Sequence, residues 1–393
     1  MDIDCWLETD RTDLERAGRW RSLRSMMSAP LGRIVLDGRK VISLGSTNYL
    51  GLSTHPDVKE AARKAVQEYG TGAGGSRLIA GNNQLYETLE SKIAALTGTE
   101  ASLVFGSGYL ANISTIPSLV DERDLILSDE RNHISLIEGC RLSKATTQIY
   151  RHSDAQHLRE LLSKSAHFRR RLIVTDGLFS MDGDIPPLPL ICDIADTYDA
   201  VVMVDDVHGF GVLGESGGGV VNYFKVEHRG IIQVGALSKA VGGVGAFVAG
   251  SQSLIDFLIN RARSFIFTTG LPPATLAAAS AAIDLIRSDA KLRYRLFRNV
   301  DLLKNGLATA GFQLLSSKTQ ILSSILGESR FACRFAEALL EHGVFAPAIR
   351  PPSVPQGTSR LRITPMAAHT PEDLESAIKG FVAARKSVPC TRR

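Results

Sequence analysis

A chain of 393 residues, 44% hydrophobic and 22% charged, has the composition of an ordinary folded protein with room for one large domain and a smaller one. A net charge of +4 is too small at this length to indicate nucleic-acid binding, and no aromatic residues interleave the basic ones as stacking platforms would require. No uninterrupted apolar stretch reaches 18 residues, the opening Met1 to Trp6 is acidic, and the five cysteines are scattered without a C-x-x-C pair; this predicts a cytoplasmic chain with reduced thiols, no disulfide framework and no metal site.

Residues 1–45, with Trp20 and Arg21 in a basic helical stretch, read as an arm that packs on the main body. Over residues 46–275, helical patterns alternate with short apolar runs, which predicts a large α/β domain built on a mostly parallel sheet. Pro56 to Tyr69 reads as an amphipathic helix opened by proline, and the glycine-rich run Gly70 to Ser76 breaks it. A dinucleotide loop follows a strand, whereas this loop follows a helix; its glycines suit close backbone approach to a bound molecule, or simply a flexible surface loop. Next comes a strand at 101–104 and the turn Phe105-Gly106-Ser107-Gly108-Tyr109, where Gly108 and Tyr109 are candidates for an anion cradle at a helix start. A plain strand-to-helix connection has the same appearance.

The densest basic run, Arg169-Arg170-Arg171, reads as a solvated edge before a strand at 172–174. The following stretch 176–184 can point the Ser180 hydroxyl into a crevice, with Phe179 and Met181 as packing residues. Apolar runs at 201–204 and 231–234 predict strands buried on both faces. Asp205 and Lys239 then lie just past two strand carboxyl ends, the edge where open α/β sheets bind ligands. Residues 276–393 read as a smaller α+β domain. Its predicted strands lie near 312–315, 321–324 and 360–364, its helices near 330–342 and 371–385, and long helical stretches at 273–287 and 290–310 lead into it.

Lys239, flanked by small residues in Gly235-Ala236-Leu237-Ser238-Lys239-Ala240, can form a Schiff base with an aldehyde cofactor, while the Asp205 carboxylate can keep a pyridine nitrogen protonated so that the ring acts as an electron sink. Taken singly, Asp205 is a loop cap and Lys239 a solvated lysine; together they point to pyridoxal 5'-phosphate. His133 is the natural ring to stack on the pyridine, and His208, three residues past Asp205, is placed to contact its phenolic oxygen. Asp206 has no evident partner and reads as structural.

The motifs Asn48-Tyr49-Leu50-Gly51-Leu52, Gly72-Ala73-Gly74-Gly75-Ser76-Arg77, Asn132-His133, Ser180-Met181-Asp182-Gly183-Asp184, Asp205-Asp206-Val207-His208-Gly209 and Lys239 resemble, over nearly the whole chain, those of the α-oxoamine synthases. These are fold-type-I pyridoxal phosphate enzymes that condense an amino acid with an acyl thioester and lose carbon dioxide. The resemblance implies that Lys239 carries the cofactor, Asp205 faces its ring nitrogen and His133 stacks on it, with Gly108, Tyr109, Ser180, Ala236 and His208 as further cofactor contacts. It assigns Asn48 and Arg362 to the amino-acid carboxylate, Ser76 to the substrate loop, and Arg21 and Ser353 to the acyl substrate. Thr268 and Thr269 fall where a neighbouring subunit helps to hold the phosphate, which implies a homodimer with shared sites. The C-terminal motifs, 348–355 and 360–370, look most like those of the biotin-pathway members that join L-alanine to a pimeloyl thioester of coenzyme A or acyl carrier protein. Two positions depart from the pattern: Ala236 stands where Thr or Ser is usual, and Val207 is closer to sister enzymes that use glycine or serine. A sister synthase, a non-catalytic subunit of the same fold and a plain aminotransferase are the rival readings.

Overall fold

The computed structural model describes residues 2–388, which divide into two compact units: 48–180 with 184–294, and 2–47 with 181–183 and 295–388. The smaller unit opens with a helix, Ile3–Arg16, whose N-cap Asp2 accepts the Asp4 N–H at 3.1 Å. Gly18, at φ +63°, ends that helix with its N–H on the Glu15 carbonyl, so Trp20 and Arg21 lie outside regular structure and not in the helix expected for them. A two-stranded hairpin follows, β1 (Arg33–Leu36) and β2 (Arg39–Ser43), turning at Asp37 and Gly38, both at positive φ.

The larger unit holds the seven-stranded sheet. Its strands are β3 (Ala101–Phe105), β4 (Leu125–Asp129), β5 (Thr146–Tyr150), β6 (Arg171–Asp176), β7 (Val201–Asp205), β8 (Ile232–Ala236) and β9 (Ala246–Gly250), in the order β3-β9-β8-β7-β6-β4-β5. Strands β5, β4, β6, β7 and β8 run parallel, while β9 is antiparallel to both neighbours. The carboxyl ends of the parallel strands therefore share one edge with the end of β3. Leu103, Ile126, Val174, Met203, Val234 and Val248 stand in one buried cluster, the consequence of apolar runs covered on both sides. Arg169 is neutralised by Asp121 and Asp124 at 2.8 and 2.6 Å, and Arg171 binds Ser165; the arginine run is thus a paired sheet edge.

The sequence reading set the boundary between domains at 275, but the helix Pro273–Ser288 belongs with the larger unit. It packs on the helices Pro56–Tyr69 and Gln84–Thr97, and Leu276, Ala279, Ile283 and Ile286 along it are buried. The prolines before it open a helix and do not end a domain.

In the remainder of the smaller unit, β10 (Leu322–Gly327), β13 (Ser359–Ile363) and β12 (Ala348–Ile349) form one antiparallel sheet, and β11 (Val344–Phe345) joins β2 in parallel. Residues 312–315, expected as a strand, lie outside regular structure. Leu315 donates to the Ser323 carbonyl, but no ladder forms. Helices Ser329–Glu341 and Pro371–Ser387 are present, the second with a capping box between Thr370 and Asp373. Cys140, Cys192 and Cys333 are free thiols, and burial pushes the Cys140 thiol up to about 12 and Cys192 up to about 11. The Cys5 side chain and Cys390 lie outside the described residues. No helix among the described residues is long and apolar enough to cross a membrane.

Candidate active site

Chain segments leaving β3, β4, β6, β7 and β8 converge on one cavity in the larger unit. Asp205, His208, His133 and Lys239 line it, together with Gly108, Tyr109, Ser180 and Ala236, so these eight residues singled out from sequence meet in space. Ser135, Asp176, Val207 and Ser238 complete the wall.

Asp205 ends β7 and is paired in register with Asp176 on β6, so the two carboxylates are neighbours on the sheet. Asn112 Nδ2 donates to Asp205 Oδ2 at 2.6 Å and the Val207 N–H donates to Oδ1 at 3.2 Å. Burial pushes the Asp205 carboxyl above the usual carboxylate range, and the Asn112 hydrogen bond and nearby His133 pull it back. Asp176 is pushed well above that range by burial and by the Asp205 charge, and its Oδ2 accepts the His133 N–H at 2.8 Å. A cation placed against Asp205 would relieve both carboxylates.

His133 caps the helix Ile134–Ser143 and shares a 2.7 Å hydrogen bond between Nδ1 and Ser135 Oγ. Ser135 Oγ in turn accepts from Asn112 Nδ2 at 2.9 Å, so a continuous hydrogen-bonded chain joins His133 to Asp205. The low-dielectric cavity wall holds His133 below the ordinary imidazole value; the Asp205 carboxylate opposes this and the Lys239 ammonium adds to it. His208 is buried, with Nδ1 2.7 Å from the Tyr49 hydroxyl. Asp206 serves a different purpose. Its Oδ2 accepts the Val220 N–H at 2.5 Å, and a Cβ at Gly219 would sit 1.9 Å from that oxygen, so Asp206 fills a glycine-lined structural slot.

Lys239 sits in a loop shaped by backbone bonds. Gly243 donates to the Leu237 carbonyl at 2.7 Å, Gly242 to Lys239 at 3.0 Å, and Leu237 to Gly245 at 2.9 Å. Gly242 is irreplaceable there: φ is +78° and a Cβ would come within 2.5 Å of Ser53 N. On the anion side, Gly108 and Tyr109 begin the helix Gly108–Leu119, and Ser107 Oγ caps the Leu110 N–H at 3.2 Å. First-turn N–H groups and the helix dipole suit a phosphate. A Cβ on Gly108 would only touch Val207 Cγ1, at 3.4 Å, so the space there admits a small side chain.

Ala236, the last residue of β8, faces this same cavity, as does Ser238. Ala236→Thr is expected to tighten cofactor binding by about 0.5–1.5 kcal/mol through one added hydrogen bond to a charged acceptor. Titration of apoenzyme with pyridoxal phosphate checks it; unchanged or weaker binding would show that Ser238, a backbone amide or a water already fills the role.

Other expected site residues of the larger unit lie off this wall. Asn48 Nδ2 donates to Ser53 Oγ at 2.8 Å. Ser76 and Thr269 form an isolated antiparallel bridge, and Thr268 and Thr269 line a separate depression with Arg77 and Tyr86. In the smaller unit Arg362 sits on β13 opposite Ser323. Arg21 lines a groove with Trp20, Arg24 and Arg350. Arg350 fixes the arm by donating to the Gly18 and Trp20 carbonyls at 2.7 and 3.2 Å, and Ser353 N–H donates to the Arg350 carbonyl at 3.1 Å. Sequence reasoning missed Asn112, Ser135 and Asp176. Tyr49 lies in the Asn48 to Leu52 motif, and nothing in the sequence shows its bond to His208.

A buried carboxylate, a lysine amine, an imidazole and a helix N-terminus on one cavity wall fit a group with a cationic ring nitrogen, an aldehyde and a phosphate. A family model described as aminotransferase class I and II matches residues 39–381. An 8-amino-7-oxononanoate synthase of Geobacter sulfurreducens is 48% identical over 377 residues, 95% of this chain and 96% of its own. The 8-amino-7-oxononanoate synthase 2 of Bacillus subtilis is 45% identical over 388 residues, 99% of each chain. A serine palmitoyltransferase variant from S. paucimobilis, solved with a bound pyridoxal phosphate–myriocin aldimine, superposes with a TM-score of 0.92 at 31% identity, covering 97% of both chains. The chain therefore belongs to the aminotransferase class I and II family and, within it, to the α-oxoamine synthases. Its fold is that of the fold-type-I transferases and its cofactor is pyridoxal 5'-phosphate.

Proposed function

We propose that this protein condenses L-alanine with a pimeloyl thioester, of coenzyme A or acyl carrier protein, releasing carbon dioxide and free thiol and giving 8-amino-7-oxononanoate for biotin synthesis. The observation that carries this reading is 45–48% identity along almost the entire chain to proteins named for that product, in a chain whose Lys239, Asp205 and His133 share one cavity. The setting proposed is a cytoplasmic homodimer.

Pyridoxal phosphate, when bound, supplies an electron sink for charge developing at the amino-acid α-carbon. Lys239 Nζ would hold the cofactor aldehyde, and its amine would take and return the α-proton of alanine. Asp205 would stabilise a proton on the ring nitrogen from a buried position, where the attraction is little screened. His133, tied to Asp205 through Ser135 and Asn112, would stack on the ring. His208 would contact the ring oxygen, and Gly108, Tyr109 and Ser180, with Thr268 and Thr269 of a second copy, would hold the phosphate. Arg362, a planar two-pronged donor, and Asn48 are assigned to the amino-acid carboxylate, Ser76 to the substrate loop, and Arg21 and Ser353 to the acyl substrate.

Val207 favours one second reading, a sister synthase that takes glycine or serine with another acyl-CoA. L-alanine is expected to win by about 1–3 kcal/mol, the discrimination one methyl group can supply. Specificity constants for the three amino acids with pimeloyl-CoA decide it. A clear preference for glycine would move the chain to the sister enzymes.

A further inference from the structure

His152, just past β5, takes no part in the cavity wall, yet both of its ring nitrogens are engaged. Its Nδ1 lies 2.9 Å from Asp129 Oδ1 and its Nε2 2.7 Å from Asp184 Oδ2, and its side chain is 12% exposed. Each nitrogen faces a carboxylate, so both carry hydrogen when both bonds are made. Burial pulls the imidazole down, but the two carboxylates outweigh it and raise His152 to about 9, so the ring is a cation at neutral pH. Phe179 closes one side, edge-on, with ring centroids 4.4 Å apart.

The two aspartates belong to different loops of the cofactor site. Asp129 ends β4 and accepts the Arg131 N–H at 2.9 Å and the Ser153 N–H at 2.8 Å, so it shapes the turn that delivers His133 two residues past Arg131. The Asp184 carbonyl accepts the Phe179 N–H at 3.0 Å, which closes the segment beginning at Phe179 and presents Ser180 to the cavity. One turn carries the residue that stacks on the ring; the other carries a hydroxyl for the phosphate end.

We propose that His152 is a positioning residue of the cofactor site, bridging Asp129 and Asp184 so that the turn carrying His133 and the loop carrying Ser180 are held in register. The proposal rests on pyridoxal phosphate occupying this cavity and is independent of which acyl group is transferred. Without the bridge, the buried Asp129 loses its cation and the two loops lose the tie that joins them beyond the Asn132 and His133 bonds to β6, although no group touching the cofactor has been altered.

The test uses His152→Asn, whose shorter amide reaches one carboxylate at most, and Asp184→Asn, which keeps the shape and removes the charge. Apoenzyme of each is titrated with pyridoxal phosphate, the visible circular dichroism of the bound cofactor is recorded, and thermal melting of the apo form is followed separately. The expected result is cofactor binding weakened about tenfold or more, the loss typical when an outer hydrogen-bond partner of a bound group is removed. A diminished visible dichroism band should accompany it, and the double variant should be little worse than either single one. A lower apo melting temperature with unchanged cofactor affinity and unchanged dichroism would overturn the proposal and leave His152 a purely structural ion bridge. Should His152→Asn yield no folded protein, the same two readouts on Asp184→Asn decide the matter.

Discussion

Lys239→Ala is expected to abolish turnover and leave a folded protein. The loop around Lys239 is held by backbone bonds of Gly242, Gly243 and Leu237, none of which involves the lysine side chain, so truncation removes chemistry without removing the fold. Loss of a positioned base alone costs about 10²–10⁴-fold in rate, and here the same amine also anchors the cofactor, so the loss should exceed that range. Borohydride reduction of the wild-type holoenzyme followed by peptide mass spectrometry should find the pyridoxyl mass on the peptide bearing Lys239. A pyridoxyl group on any other lysine would remove the basis for the whole site.

Asp205→Asn should keep the cofactor but lose roughly 3 kcal/mol or more of transition-state stabilisation, the scale of one preorganised electrostatic partner. The amide preserves shape and cannot stabilise a protonated ring nitrogen. Asp206→Asn is the informative comparison, because Asp206 is equally buried but turned toward Val220 N and Gly219. It should lower the melting temperature while the rate falls far less. Steady-state kinetics and thermal melts of both variants check this, and the reverse ranking in rate would show that the wrong carboxylate had been placed against the ring.

The parts of this site that could be read from sequence share a physical cause. Val202, Met203 and Val204, like Ile232 and Val234, are buried on both sides of a parallel sheet, which leaves an unbroken apolar run and makes the strand end, hence Asp205 and Lys239, easy to place. Gly108, Tyr109 and Ser180 follow strands in the same manner. Asn112, Ser135 and Asp176 were not legible because their importance is three-dimensional. Asn112 lies on the helix beginning at Gly108, and only the packing of that helix on the one starting at Ile134 turns it toward Ser135 and Asp205. Asp176 gains its meaning from the register that sets it beside Asp205.

Errors in the fold have similarly local origins. The helix thought to continue through Trp20 stops because Gly18 takes a left-handed conformation, and the prolines at 272 and 273 mark a helix start inside the larger unit. Apolar residues at 312–315 suggest a strand, but Phe312, half-buried, instead packs its ring edge-on against Phe335 and Phe381. Polar residues whose partners are distant in sequence, and apolar ones buried without a ladder, are the two kinds of position that periodicity cannot resolve.

The decisive measurement for the proposed reaction is incubation of the holoenzyme with L-alanine and pimeloyl-CoA, following free thiol and carbon dioxide while the organic product is weighed by mass spectrometry. The account predicts one thiol and one carbon dioxide per turnover, with a product of the mass of 8-amino-7-oxononanoate. Formation of an α-keto acid from alanine without thiol release would identify an aminotransferase and contradict it.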